Sequence, residues 1–127
     1  MEFVMTIKYI VMANINGKWI LTKSVSAGVE GASPEGTFLL IEDDLFERHT
    51  PSYVFQRKIT LNDSILPHWI DLLIVNEPDK GKTFLGIYKR EGDTLFIAHT
   101  LPNMPRPVSF ESTSENKQIL SVSVKEP

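Results

Sequence analysis

Arg57 is the residue whose position most asks for chemistry. It stands in the run Tyr53-Val54-Phe55-Gln56-Arg57-Lys58-Ile59-Thr60-Leu61. The two-residue period of a strand puts it on one face with Tyr53, Phe55, Ile59 and Leu61. A guanidinium turned into an apolar interior is costly to desolvate and has to meet a carboxylate, a phosphate or water. Two structural solutions exist: a bulge that turns Arg57 outward, or an internal acid that pairs with it. A functional solution stands beside them. The partner is then the head group of a small hydrophobic acid, held by Arg57 with Phe55, Ile59 and Tyr88 around the ligand.

A second group of residues points to a different chemistry. Glu42, Asp43, Asp44 and Glu47 are four acids within six positions, with no basic residue among them. On a tight turn they create a local negative field suited to a basic partner, and Phe46 in their midst could serve as an aromatic anchor. The plainer reading is a solvated hairpin tip.

Other chemistries find less support. His49, His68 and His99 lack ligand spacing such as i, i+2 on one strand, so no metal site is expected. Gly81-Lys82-Thr83 imitates the end of a phosphate-binding loop, but Asn76 stands where the earlier glycine belongs and a strand follows instead of a helix. No nucleophile-elbow sequence frames a serine. Paired acid/base carboxylates stay open, because their separation is not written in sequence. With no cysteine, disulfides, thiolate metal sites and cysteine nucleophiles are excluded. Neither a cofactor nor an enzymatic activity is expected.

The elements that must position these residues are strands. The chain has 127 residues, 42% hydrophobic and 23% charged, values that suit one ordinary globular domain. A net charge of −3 argues against nucleic-acid binding, which needs a concentrated basic face. No apolar run reaches the ~20 residues of a membrane span. Residues 1–13 are apolar-rich and Val11-Met12-Ala13 loosely imitates a cleavage site, yet Glu2 and Lys8 are out of place for an export signal. A cytoplasmic protein is expected.

From Gly17 onward, strand-like runs alternate with turn residues. They cover residues 18–26, 37–42, 45–49, 53–61, 68–75, 83–90, 94–100, 108–112 and 120–125. In the first, Trp19, Leu21 and Val25 share a side, with Lys18, Thr22 and Ser24 largely opposite. Residues 28–36, with three glycines and a proline, read as a loop. Glu91-Gly92-Asp93 marks the clearest hairpin, and Pro102, Pro105 and Pro107 a stiff connection. About nine strands without a long helix imply a sandwich or a closed barrel, and closure removes unprotected edges. Residues 1–16 are read as a segment packed on a barrel of residues 17–127, with helix and strand both open for residues 1–15.

An ordered series of short motifs narrows the fold. Ile70-Asp71-Leu72, Pro78-Asp79-Lys80-Gly81-Lys82-Thr83, Gly86-Ile87-Tyr88, Gly92-Asp93-Thr94-Leu95-Phe96-Ile97, Pro102, Pro105-Arg106-Pro107 and Phe110 follow one another. Together they resemble a lipocalin-like bacterial domain family abundant in planctomycetes and largely uncharacterised. Gly17-Lys18-Trp19 is similar to the opening of a lipocalin first strand. The resemblance implies an all-β, up-and-down antiparallel barrel with a cup-like interior, and no activity. Within it Trp19 is expected to plug one end, its indole N–H on a backbone carbonyl. An Asp71–Arg106 pair would pin the proline-rich loop to the sheet.

Two functions from different classes follow. The first is a non-catalytic binding protein that neutralises a basic protein partner, as an inhibitor or immunity protein sits on a toxin nuclease, through Glu42, Asp43, Asp44, Phe46 and Glu47. The second is a carrier or sensor of a small hydrophobic acid, with Arg57 at the head group. An interior filled by side chains would remove the second; an open one lined by Phe55, Ile59 and Arg57 would favour it.

Overall fold

The computed structural model describes residues 14–31 and 35–127. Residues 1–13, which hold most of the expected N-terminal segment, and residues 32–34 of the glycine-rich loop lie outside the described residues.

Among the described residues nine strands form: β1 (Gly17–Ser26), β2 (Val29–Gly31), β3 (Phe38–Glu42), β4 (Leu45–His49), β5 (Val54–Asn62), β6 (His68–Ile74), β7 (Thr83–Glu91), β8 (Thr94–His99) and β9 (Ile119–Lys125). All pairings are antiparallel, and β3 to β9 run as a meander in chain order. One edge of β1 pairs with β3 over Gly17 to Ile20, and the other pairs with β9 from Trp19↔Lys125 to Ser26↔Ile119. That second pairing closes eight strands into a barrel, consistent with the lipocalin-like architecture, and leaves β2 as a short extra strand on the far half of β1. The glycine-rich stretch is therefore not all loop: Val29–Gly31 turns back along Ser24 to Ser26.

Alternation fails in β1 for a local reason. The register jumps from Leu21↔Ser123 to Lys23↔Val122, a bulge at Thr22 whose hydroxyl donates to the Val122 carbonyl at 3.0 Å. A bulge shifts the phase of every later side chain. Ser24, expected opposite Trp19 and Leu21, consequently joins them inside the barrel.

The expected strand at 108–112 is absent, because its backbone is satisfied otherwise. Pro105 and Pro107 have no N–H to offer a ladder. Gln118 Nε2 donates to the carbonyls of Ser109 (3.0 Å) and Glu111 (2.6 Å), so one side chain takes up acceptors that a strand would have paired.

The interior divides in two. At the end where β1 begins, Ile15, Trp19, Ile41, Ile59, Ile70, Tyr88 and Leu95 pack into a continuous core with Leu39, Phe46, Leu72 and Ile97 above them. Trp19 is fully buried and its indole N–H donates to the Ile15 carbonyl at 2.9 Å. The Arg90 guanidinium lies 5.2 Å from the centre of the Trp19 ring, and its Nη1 donates to the Asn14 carbonyl at 2.8 Å. The same end is tied to the β3–β4 turn by Asn16, which accepts from the Asp43 backbone N–H at 2.9 Å and donates to Asp43 Oδ1 at 3.2 Å.

Gly86 shows how tightly the wall is drawn. A Cβ there would lie 2.8 Å from the Ala98 carbonyl and 3.1 Å from an Ile70 methyl, so only glycine lets β6 and β8 flank β7 this closely.

Candidate functional site: the open half of the barrel

The other end of the barrel holds a cavity of about 260 Å³. Its floor is apolar, with Leu21, Leu39, Phe46, Leu72 and Ile97, and its upper wall carries Arg48, Arg57, Phe55, Phe84 and His99. This volume lies just under the roughly 300–1,000 Å³ usual for ligand pockets, so an occupant must be small.

Strand register explains why these side chains meet. Phe46 and Arg48 are two apart on β4, Phe55 and Arg57 on β5, and Ile97 and His99 on β8, so each pair shares the inner face. Cross-strand pairing then sets Arg48 opposite Phe55 and Arg57 opposite Phe46. β5 pairs with β4 and β6 without a register shift, so no bulge turns Arg57 outward.

Arg57 is held between rings, its guanidinium carbon 5.4 Å from the centre of Phe84 and 5.8 Å from that of Phe55. The Arg48 guanidinium lies 5.7 Å from the Phe55 ring on the rim. Arg57 Nη1 donates to the Gln56 carbonyl at 2.9 Å. Among the described residues no carboxylate lines the cavity, and neither arginine is in an ion pair. Burial, followed by the like charge of Arg48, weakens Arg57's hold on its proton without discharging a guanidinium. Cation–ring contacts of about 0.5–2 kcal/mol each only partly offset the several kcal/mol that desolvating such a group costs.

His99 completes the arc, its ring 5.1 Å from that of Phe84. It is enclosed by the barrel wall yet keeps an accessible face, which it owes to the cavity. The Thr100 carbonyl can only accept, so the 3.3 Å contact puts the hydrogen of the neutral ring on Nδ1 and leaves Nε2 unprotonated. Burial holds this imidazole below its ordinary range; the Thr100 carbonyl opposes that, and Arg57 and Arg48 add to it.

The sequence-derived candidates separate. Phe55 and Arg57 line the cavity, but Ile59 and Tyr88 do not: at 4% and 2% exposure both belong to the packed end. The Tyr88 hydroxyl has no partner among the described residues and is pushed up to about 12, by burial first and Asp63 second. Arg48 and His99 were missed as a pair, although i, i+2 spacing from Phe46 and Ile97 carries the signal.

The acidic group also divides. Glu42, Asp43 and Asp44 are exposed at the β3–β4 turn, and Lys58 Nζ lies 3.8 Å from Asp44. Phe46 is no surface anchor: it is 8% exposed and faces the barrel interior from β4. Glu47 is on the outer wall, accepting from Gln56 Nε2 at 2.8 Å and paired with His49 Nε2 at 3.0 Å. Gln56 and then His49 hold its carboxyl below the usual range.

Asp71 and Arg106 meet on the outside of the barrel. Their charged atoms are 2.7 Å apart, while Arg106 Nη1 directs its hydrogen bond to the Gly86 carbonyl at 2.9 Å. The guanidinium also covers Trp69, 4.1 Å from the ring centre. The proline-rich segment is thereby clasped to β6 and β7.

His49, His68 and His99 lie at three separate places, and among the described residues no cluster of three metal-ligating side chains forms. Among the described residues no helix is long and apolar enough to cross a membrane.

Comparison with family models, curated proteins and solved structures finds no match. The likeness to the lipocalin-like bacterial family accordingly stands as a proposal carried by the Ile70-to-Phe110 motifs.

Proposed function

We propose that the protein is a non-catalytic carrier or sensor that holds a small amphipathic anion in the open half of the barrel. The single observation that carries this reading is the pair of guanidinium groups facing a cavity lined by no carboxylate among the described residues. An anion would supply the charge that the wall lacks, its head group against Arg57 and Arg48 and its apolar part against Leu39, Leu72 and Ile97. Phe55 and Phe84 hold Arg57 in place, so little conformational entropy is lost when the head group arrives.

Calorimetry with hexanoate and octanoate, against the matching alcohols, tests this. Saturable 1:1 binding of the acids, at least tenfold tighter than the alcohols, is the expected result. Equal binding of acid and alcohol, or none of either, would overturn it.

The reading as a protein that neutralises a basic partner, such as a toxin nuclease, keeps one supporting observation. Three exposed carboxylates at Glu42, Asp43 and Asp44 still project a negative field from the closed end. Without Phe46 at the surface it lacks the apolar anchor that interfaces draw on, and it ranks below the cavity.

A further inference from the structure

We infer that His99 is a third anion-binding group of the cavity, neutral in the free protein and protonated when ligand is held, so that an amphipathic anion enters together with one proton. The inference rests on the anion-holding reading above and adds its regulation: occupancy rises as the surroundings acidify.

Geometry supplies the case. His99, Arg57 and Arg48 line one cavity from β8, β5 and β4, linked through Phe84 and Phe55. Among the described residues the groups that face His99 from the packed elements are few. β4 and β5 bring the two arginines, β7 brings Phe84 and Gly86, and β9 brings Ile119 and Ser121. The connection after β8 brings Leu101, and Arg106 is directed to the Gly86 carbonyl from the outer face. None of these is an acid.

Burial first, and then the positive charges of Arg57 and Arg48, keep the imidazole neutral near pH 7 against the pull of the Thr100 carbonyl. An anion seated between Arg48 and Arg57 cancels their field at the ring, and the cost of charging His99 falls. The proton comes from solvent water and goes to Nε2, since Nδ1–H is already given to Thr100. By linkage, a group whose proton affinity rises on binding makes binding tighter as pH falls. The change begins below the proton affinity of the bound state and levels off below that of the free state.

The test uses hexanesulfonate, a strong-acid anion that does not itself titrate between pH 8 and pH 5. Calorimetry across that range, in two buffers of different ionisation enthalpy, reads affinity and proton uptake together. The expected result is about a hundredfold or greater gain in affinity on acidification, net uptake close to one proton between the free and bound titrations, and an upward move of the His99 ring titration in NMR spectra of the wild-type protein. The His99→Gln variant should bind with an affinity that does not change with pH. If that variant fails to fold, the wild-type NMR titration decides. Binding with flat pH dependence and an unmoved His99 titration would overturn the inference and leave the cavity reading standing. Failure to bind either hexanesulfonate or hexanoate at any pH would overturn both.

Discussion

The Arg57 guanidinium stands 5.4 Å from the centre of the Phe84 ring, on a strand whose two neighbours set Phe46 and Ile74 opposite it. This placement makes a function of stability. A half-buried cation with no carboxylate partner among the described residues weakens the fold, and its removal separates what it does for binding from what it costs.

Arg57→Met keeps the length of the stem and deletes the charge. The thermal midpoint is expected to hold or rise, by the equivalent of up to about 1 kcal/mol, because Arg57 is half-buried and replacing a partly desolvated ion with an apolar side chain is often neutral or stabilising. Affinity for octanoate should fall at least tenfold. Differential scanning calorimetry and a binding titration check the two halves, and a drop in both would mean that Arg57 is structural.

Arg106 has three attachments and Asp71 one, which predicts unequal losses. Asp71→Asn should cost about 1 kcal/mol, as for a partly exposed ion pair. Arg106→Ala should cost about 2 kcal/mol, since the Gly86 carbonyl and the Trp69 face are abandoned as well. Urea unfolding of both singles and the double variant gives the coupling energy; equal single losses would refute the clasp.

Glu47 makes the fold acid-sensitive. Its carboxyl is held below the ordinary range in the folded state, by Gln56 first and His49 second. The contribution is full above the unfolded-state value near 4.5 and is lost as pH falls through the lower folded-state value. Thermal midpoints measured from pH 6 to pH 3 should therefore decline less steeply in Glu47→Gln than in the wild type. Parallel curves would show that the carboxyl is not responsible.

Charge reversal at the β3–β4 turn distinguishes its two aspartates. If the turn were only a solvated hairpin tip, reversing both would leave the midpoint nearly unchanged. The structure predicts otherwise for Asp43, whose carboxylate accepts from Asn16 and whose backbone sits at φ 56°. Asp43→Lys should lose about 1 kcal/mol, whereas Asp44→Lys, beside exposed Lys58, should lose less than about half of that. Salt-dependent capture of a basic protein that disappears in Asp44→Lys would revive the partner reading.

Much of the barrel is legible in the chain because strand alternation and turn residues are local properties. The β7–β8 hairpin around Gly92, the inward face of Phe55 and Arg57, and the Trp19 plug all follow from residues a few positions apart. The candidate site is only half legible. Ser24 reaches the interior through a bulge at Thr22, which arises from pairing with β9 about a hundred positions away. Phe46 lies next to an acidic turn, so its neighbours suggest a solvent-facing tip, yet its strand phase turns it inward. Residues 108–112 have a strand's composition, but Gln118 takes their carbonyls.

By itself the sequence determined an all-β chain and an arginine in phase with apolar neighbours, since both depend on period and composition. Period and composition left sandwich and closed barrel both open, and the pairing of β1 with β9 decided for the barrel. Tertiary structure alone decided that one half of the barrel is packed and the other hollow, and that Arg48 and His99 share the hollow half with Arg57. The physical reason is register. Which residues stand at the same depth on different strands depends on pairings between distant segments, and one shifted pair changes the lining of the whole cavity.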